Sequence, residues 1–402
     1  MKKIAIVGGG ITGLALAYFL LQKNHQVSLF EEKKELGGLI DTFPLAAGQL
    51  EKFYHHFFAQ DESAFRLLEE LGIKDKLFWS YPRMGLLVQE KIYPFTTPLD
   101  LLRFKALTFS ERLRLGLFSL KIGKDDNWQA LDSMTAKEWL VKKLGHKIYH
   151  LIWEPMLRAK FGKHAEEISA AWMWDRIRSR GKTRGFFGSR EKLGYIRGSY
   201  RILVDKLAKK IINAGAKINL GNRIDSVPLD GFDLTIVTCA HPSLSRYLPQ
   251  YLGNICLVLK LKRSLSPMYW INITDPALPF CALIEHTNAF EDVLYGGYKI
   301  VYLSNYVEQK DPIWRLSDQE ILEKYLRGLK KVKADFEEKE VVEYHVFREK
   351  YAQLLPLAGY GKKIPPFKIG ERLYLVSNPQ IFPEDRGVNN SIKLAWQFSE
   401  QI

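Results

Sequence analysis

Lys2-Lys3-Ile4-Ala5-Ile6-Val7-Gly8-Gly9-Gly10-Ile11-Thr12-Gly13, read on as far as Glu31, decides the fold of this chain. Ile4 to Val7 is a short apolar run rich in β-branched residues, suited to a strand buried on both faces. Gly8-x-Gly10-x-x-Gly13 follows at once, and Leu14 to Leu21 continues as a helix-forming apolar stretch. Asn24-His25 breaks it, and Gln26 to Phe30 reads as a second strand that ends on Glu31. Each piece has a physical task. Gly8 makes the tight turn, Gly10 leaves room for a pyrophosphate against the backbone, and Gly13 lets helix and strand pack closely. The helix start at Ile11 and Thr12 offers free N–H groups and a positive dipole end to the phosphates. A carboxylate about 20 residues on can accept the hydroxyls of an adenosine ribose. Strand, glycines, helix, strand and acid fall in the order that dinucleotide binding requires.

The rest of the composition bounds the answer. At 402 residues the chain holds roughly two to three domains' worth of core. Hydrophobic residues at 47% and charged residues at 26% are ordinary for a globular protein, whereas 13% aromatics suggest an aromatic-lined interior or a sticky face. Cys239, Cys256 and Cys281 are widely spaced in apolar contexts, with no C-x-x-C. A dithiol redox centre is excluded, and a reducing compartment and buried, inert thiols are expected. Nine histidines show no ligand spacing, so no metal is expected. No apolar run approaches the ~18 residues that span a bilayer, and Gly8 to Gly10 interrupts the only segment resembling a leader. A cytoplasmic location is the expectation. The net charge of +14 is spread along the chain without a nucleic-acid signature. It leaves generic surface charge, an anionic membrane or an acidic substrate, with nucleic acid last.

Past Glu31 the chain continues Glu32-Lys33-Lys34-Glu35-Leu36-Gly37-Gly38-Leu39. Here it resembles the flavin-binding superfamily of amine oxidases, protoporphyrinogen oxidases and phytoene desaturases, whose second motif reads E-A-x-x-x-x-G-G-R. Glu31, Gly37 and Gly38 match that motif, while Leu39 replaces its arginine. Toward the end, just after Gly387, Val388-Asn389-Asn390-Ser391-Ile392 resembles the V-N-D-C-I that opens the last helix of protoporphyrinogen oxidases. In that family the helix start faces the flavin, and its dipole stabilises charge near N1 and C2=O. Asn378 stands where the family usually has aspartate and is placed by the resemblance on the ribityl chain. Ile224 is placed on the adenine through its backbone. Glu154-Pro155-Met156-Leu157 and Lys160-Phe161-Gly162 match a further stretch of the bacterial members.

The resemblance implies an α/β protein. A discontinuous Rossmann-like FAD-binding domain is expected over residues 1–80, 195–245 and 360–402. The inserted α+β substrate domain divides into a helical part, 81–194, and a part with a mixed sheet, 246–359. Gly48 to Phe58 places Tyr54, His55 and His56 between aromatic pairs. They are core packing or, as the resemblance implies, neighbours of the isoalloxazine ring together with Arg386. If the segment is a strand, Tyr54 and His56 share one face and His55 the other. Met84 to Phe95 reads as a hairpin turning at Gln89-Glu90, and a helical tract follows from Asp100 to about Gly181. Within it, Leu101 to Phe104 and Arg112 to Phe118 mix arginines with large apolar residues. Core helices with snorkelling cations are expected, and helices lying on an anionic membrane are the alternative. Gly194 to Ser199 reads as a loop, Lys217 to Leu220 and Arg223 to Val227 as strands. The glycine-rich Gly181 to Ser189 opens no second dinucleotide unit.

Three motifs therefore agree on FAD: the first glycine loop with Glu31, the Gly37-Gly38 pair, and the Asn389 helix. The expected function is an FAD-dependent oxidoreductase that takes a hydride from a C–H bond onto flavin N5 and passes electrons to oxygen or a quinone. Its substrate is a small molecule, amphipathic or anionic, shaped by a pocket from about Met84 to Gly181 and Asn254 to Phe347. An isomerase like UDP-galactopyranose mutase is the alternative, because that enzyme shares the N-terminal motifs and an aromatic-histidine segment. A flavin-binding protein without turnover is the third reading.

Overall fold

The structure, a computed structural model, describes residues 1–122, 127–182, 191–290 and 293–402. Two compact units emerge, one made of Met1–Phe78, Gly194–Gln250 and Lys363–Ile402, the other of Trp79–Leu193 and Tyr251–Lys362.

The first unit is built on a five-stranded parallel sheet. Its order is Lys217–Asn219, β2 (Gln26–Phe30), β1 (Lys3–Val7), Leu234–Val237 and Leu373–Leu375. β1 sits in the middle because Ile4, Ala5 and Ile6 are fully buried, as a strand covered on both faces must be. Ile4 pairs with Val27 on one side and Leu234 on the other. The strand order thus reverses at the C-terminal end of β1, the place where open parallel sheets bind ligands. Helix α1 (Ile11–Gln22) follows directly. Leu14, Ala15, Leu16 and Ala17 are all fully buried, so α1 is apolar all round and is covered on several sides. It packs against the C-terminal helix Val388–Ser399 and the helix Arg201–Asn213. Lys23 ties the end of α1 to the Ser399 carbonyl at 2.6 Å. A short helix, α2 (Glu62–Glu70), completes the neighbourhood of the C-terminal helix.

The second unit carries a seven-stranded mixed sheet. Its order is Val341–Leu354, Tyr251–Leu261, Lys299–Val307, Ala282–Glu285, Trp270–Ile273, Met84–Val88 and Lys91–Pro94. The pairing of Trp270–Ile273 with Met84–Val88 is parallel, and the others are antiparallel. Ile255, Leu257, Leu259 and Leu261 alternate onto one face, where Ile321, Tyr325 and Leu329 of the helix Asp318–Val332 meet them. The Met84 hairpin turns where expected. Gln89 (φ 48°) and Glu90 (φ 63°) are both left-handed, the conformation a two-residue hairpin turn needs to match strand twist. The helical tract holds α3 (Pro98–Arg103), α4 (Phe109–Lys121), Ala136–Leu144, Glu154–Phe161 and Ala170–Lys182. Thr97 and Thr108 open α3 and α4 with reciprocal capping boxes.

The structure corrects four local expectations. Residues 52–56 are irregular and only Phe57–Phe58 is strand, so Tyr54, His55 and His56 do not alternate across a sheet. Arg223 to Val227 is not a strand, because the chain there runs into Pro228 and bonds to side chains instead of a neighbouring strand. Leu193–Ile196 is a strand rather than a loop, since every residue in it is buried and it joins a three-stranded sheet. Helices α3 and α4 are not core helices: α3 buries no side chain and α4 only Leu115. Most of the Gly181 to Ser189 stretch lies outside the described residues.

Candidate functional site

The glycine loop begins as β1 runs out. Gly8 N–H donates to Phe30 O at 2.8 Å, which holds the loop over the end of β2, and Leu14 N–H donates to Gly10 O to start α1. Gly13 has no alternative. A Cβ there would lie 2.0 Å from Gly8 O, so the helix could not rest on the turn. Gly10 is the N-cap of α1 and no side chain caps the helix, so Ile11 and Thr12 open a first turn with free N–H groups and a positive dipole end. The second motif is bonded to the first. Gly37 N–H donates to Gly9 O at 2.9 Å, and Gly10 and Gly37 form a parallel bridge. Gly38, at φ 60°, comes so close that an added Cβ would sit 3.1 Å from Gly10 Cα.

Glu31 is set by its own neighbours. Oε2 accepts from Gly9 N–H at 2.6 Å and Oε1 from Lys33 N–H at 2.9 Å. Two backbone donors fix the carboxylate plane, and each oxygen keeps a second lone pair for a diol. The role of Gly9 was not legible in the motif, which names only the first, third and sixth positions. Ile224 lies in an irregular segment whose carbonyl is 2.8 Å from His241 Nε2. A carbonyl only accepts, so Nε2 carries the proton and Nδ1 accepts from Ser243 Oγ at 2.7 Å. His241 is therefore a buried anchor for that segment.

The C-terminal motif opens as expected, with a different use of its asparagine. Asn378 begins a short turn closed by Ser377 N–H donating to Gln380 Oε1 at 2.9 Å. Gly387, extended, is the N-cap of the last helix, again with no side-chain cap, and Val388 is buried. Asn389 Oδ1 accepts from Ala64 N–H at 3.1 Å, and its amide donates to Asn390 Oδ1 at 3.0 Å. The Asn389 side chain thus caps α2, and what this helix start offers a ligand is its backbone N–H groups.

The histidine segment is shaped by a buried acid that sequence reading passed over. Glu51 is 1% exposed. It accepts from the Tyr195 hydroxyl at 2.6 Å and from Tyr200 N–H at 2.7 Å. Burial pushes its carboxyl up to about 7, with the Tyr195 and Tyr200 bonds pulling the other way. A charged residue between Leu50 and an aromatic run was the only signal. Tyr200 also packs on Phe57 at 5.0 Å and on His55 at 5.9 Å between ring centroids. His55 Nδ1 donates to Phe53 O at 2.7 Å, which leaves Nε2 as the acceptor. Burial, and then the nearby Arg386 guanidinium, push His55 down to about 4. His55 and Arg386, far apart in sequence, are thus brought together. His56 packs edge-on against Phe58 at 5.1 Å, and Tyr54 is half-buried. Asp61, whose Oδ2 accepts from Phe58 N–H at 2.9 Å, is pushed up to about 7 by burial and by Glu384.

These residues fit FAD. An uncapped helix start behind a close-packed glycine turn suits the pyrophosphate, a pre-set Glu31 suits the ribose, and a second uncapped helix start suits an electron-rich ring edge. The three cysteines are free. Cys256 is buried, while Cys239 and Cys281, expected to be buried, are half-buried; burial raises the thiols of Cys239 and Cys281 to about 12 and about 11, and that of Cys256 as well, which disfavours the thiolate. Among the described residues no group of His, Cys, Asp and Glu could hold a metal ion, and no helix is long and apolar enough to cross a membrane.

Comparison with known proteins agrees with the architecture. The chain is 29% identical over 158 residues to the 15-cis-phytoene desaturase of Arabidopsis thaliana, a match that covers 35% of this chain and 28% of the relative. The matched stretch is thus under a third of that relative's length. Among solved structures, the fold is similar to that of a protein from Exiguobacterium sp. 255-15 assigned as a protoporphyrinogen oxidase. The TM-score is 0.76 at 18% identity, covering 100% of this chain and 98% of the other. It is also similar to reduced UDP-galactopyranose mutase, with a TM-score of 0.75 at 14% identity and coverage of 100% and 95%. Both likenesses concern the fold. The family model for flavin containing amine oxidoreductases matches residues 11–244, more than half of the chain. The chain belongs to the flavin containing amine oxidoreductase family.

Proposed function

We propose that this protein is an FAD-dependent oxidoreductase that removes a hydride from a C–H bond of a small-molecule substrate. The observation that carries the reading is the Glu31 carboxylate, held by Gly9 and Lys33 N–H beside the uncapped start of α1, in a chain of this family. When bound, FAD supplies the hydride-accepting N5 and the route for electrons onward to oxygen or a quinone. The chain's own groups bind and orient. Gly8, Gly10, Ile11, Thr12 and Gly13 would hold the pyrophosphate, and Glu31 the ribose, with Gly37 and Gly38 bringing backbone in a second time. Ile224 would meet the adenine through its backbone, and Asn378 the ribityl chain. Backbone N–H groups of Gly387, Val388 and Asn389 would stabilise negative charge at the pyrimidine edge. Tyr54, His55, His56 and Arg386 would flank the reacting ring. His55, kept neutral, would act there as a hydrogen-bond acceptor through Nε2 rather than as a cation. The substrate is amphipathic or anionic in this reading, and contact with a membrane is peripheral.

Bleaching of the flavin spectrum tests the proposal. Purified protein is expected to carry FAD, and anaerobic addition of amines, porphyrinogens or polyenes should identify one class that reduces it. Turnover of a sugar nucleotide only after dithionite reduction would replace oxidation with isomerisation. Protein that holds flavin but is reduced by no candidate would be a binding protein, and failure to bind FAD on titration would remove the premise.

A further inference from the structure

Six large apolar side chains stand in solvent on two consecutive helices of the second unit. Leu99 and Leu102 of α3, with Phe109, Leu113, Leu117 and Leu120 of α4, are between 47% and 76% exposed. On α4 they fall at i, i+4, i+8 and i+11, a single stripe about 80° wide at 100° per residue. Leu115, the one buried residue of α4, points to the opposite side. The exposed apolar area is on the order of several hundred Å², the size at which a surface patch marks an interaction site. Arg112 fixes the two helices to each other, because its guanidinium is bonded to the Leu102 carbonyl and lies over the Phe109 ring at 5.9 Å.

The charges around the stripe identify what it meets. Arg112 flanks it on one side and Arg114 and Lys121 on the other, with Arg103 and Lys105 exposed at the end of α3. The acids among them are already engaged. Asp100 accepts from Thr96 and Thr97 N–H at 3.1 and 2.8 Å, and Glu111 caps Thr108 at 2.7 Å and pairs with Lys147 at 3.0 Å. An apolar stripe with a cationic rim is complementary to acyl chains beneath anionic headgroups. A second copy of the chain would instead set the same cations against each other, on a molecule that already carries a net charge of +14. We infer that the α3–α4 face docks onto an anionic lipid bilayer, with Phe109, Leu113, Leu117 and Leu120 seated in the acyl boundary.

Vesicle co-sedimentation of the flavin-loaded full chain tests this, and it does not depend on the redox reading because no turnover is measured. The protein is expected to sediment with vesicles of phosphatidylcholine and phosphatidylglycerol, and far less with phosphatidylcholine alone. The double variant Leu113→Asp/Leu117→Asp should lose at least about tenfold in vesicle affinity, and Lys105→Glu/Lys121→Glu roughly tenfold with a weaker salt dependence. All four side chains are exposed, so unchanged circular dichroism and flavin content are expected to accompany these losses. Absence of binding to either vesicle, equal binding by wild type and variants, or a lipid-free dimer abolished by Leu113→Asp/Leu117→Asp would each overturn the inference. The last result would assign the face to a second copy.

Discussion

Asn389 and Ala64 are joined by a hydrogen bond of 3.1 Å from the Ala64 N–H to the Asn389 side-chain carbonyl. The first turn of the last helix therefore holds the first turn of α2, and the motif asparagine is spent on protein rather than turned toward a ligand. Asn389→Ala should lower the stability of the FAD-free protein by about 1 kcal/mol, the usual cost of a lost helix cap. Asn389→Asp keeps the acceptor and should stay near wild type. Urea denaturation of the apoprotein reads the difference. A large loss of FAD affinity with unchanged apoprotein stability would instead put the side chain on the cofactor.

Glu31→Gln tests the ribose assignment. The amide oxygen can still accept from Gly9 N–H, but the charge-assisted bonds to a diol are weakened. Such bonds contribute about 1.5–3 kcal/mol, so FAD should bind the apoprotein roughly 10- to 100-fold less tightly. Quenching of flavin fluorescence on titration measures it. An unchanged Kd would mean that Glu31 only braces the glycine loop.

Gly38 and Gly72 separate strain from crowding. Both are left-handed, at φ 60° and 70°, but a Cβ at Gly72 meets nothing within 4 Å, whereas one at Gly38 meets Gly10 Cα at 3.1 Å. Gly72→Ala should cost about 1–2 kcal/mol from backbone conformation alone. Gly38→Ala should cost more and should also weaken FAD binding, because the second glycine turn must move off the first. Equal losses in denaturation and in FAD titration would show that the close approach has no role.

Glu51 makes stability pH-dependent. Burial raises its folded-state value from 4.5 to about 7, so the folded state holds this proton more tightly than the unfolded chain. The resulting stability is full below about pH 4.5 and is lost as pH rises through about 7, by roughly 3 kcal/mol. Glu51→Gln should remove that slope, seen as the wild-type minus variant difference in unfolding free energy at successive pH values. A difference that does not change with pH would mean the carboxyl is ionised throughout.

His55 should behave in the opposite sense. Its folded value lies near 4 against an ordinary 6.5, so its contribution is present above about pH 6.5 and is lost as pH falls through about 4. Ring-nitrogen NMR should find a neutral Nδ1–H ring throughout the neutral range. Arg386→Ala should let the value rise part of the way, since burial is the larger cause. A wild-type ring that titrates near 6.5 would contradict this arrangement.

The first fifty residues were legible because their requirements are local. A buried strand, a glycine turn, a helix and a closing acid each leave a mark in the chain; Gly13 packs against Gly8 and Glu31 closes the second strand beside the glycine loop. The hairpin at Gln89-Glu90 was read for the same reason, from its turn chemistry. Residues 52–56 were not, because Glu51 reaches across to Tyr195 and Tyr200 and these contacts override strand propensity.

What the sequence determined by itself was the dinucleotide cradle and its family, since both rest on residue types at fixed short spacings. Tertiary structure alone decided the rest. It spent Asn389 on α2, turned His241 onto Ile224, brought Arg386 to His55, and left the stripe of α4 facing solvent. Amphipathicity gives a helix an apolar face, but only the packing of neighbouring elements determines whether that face is covered.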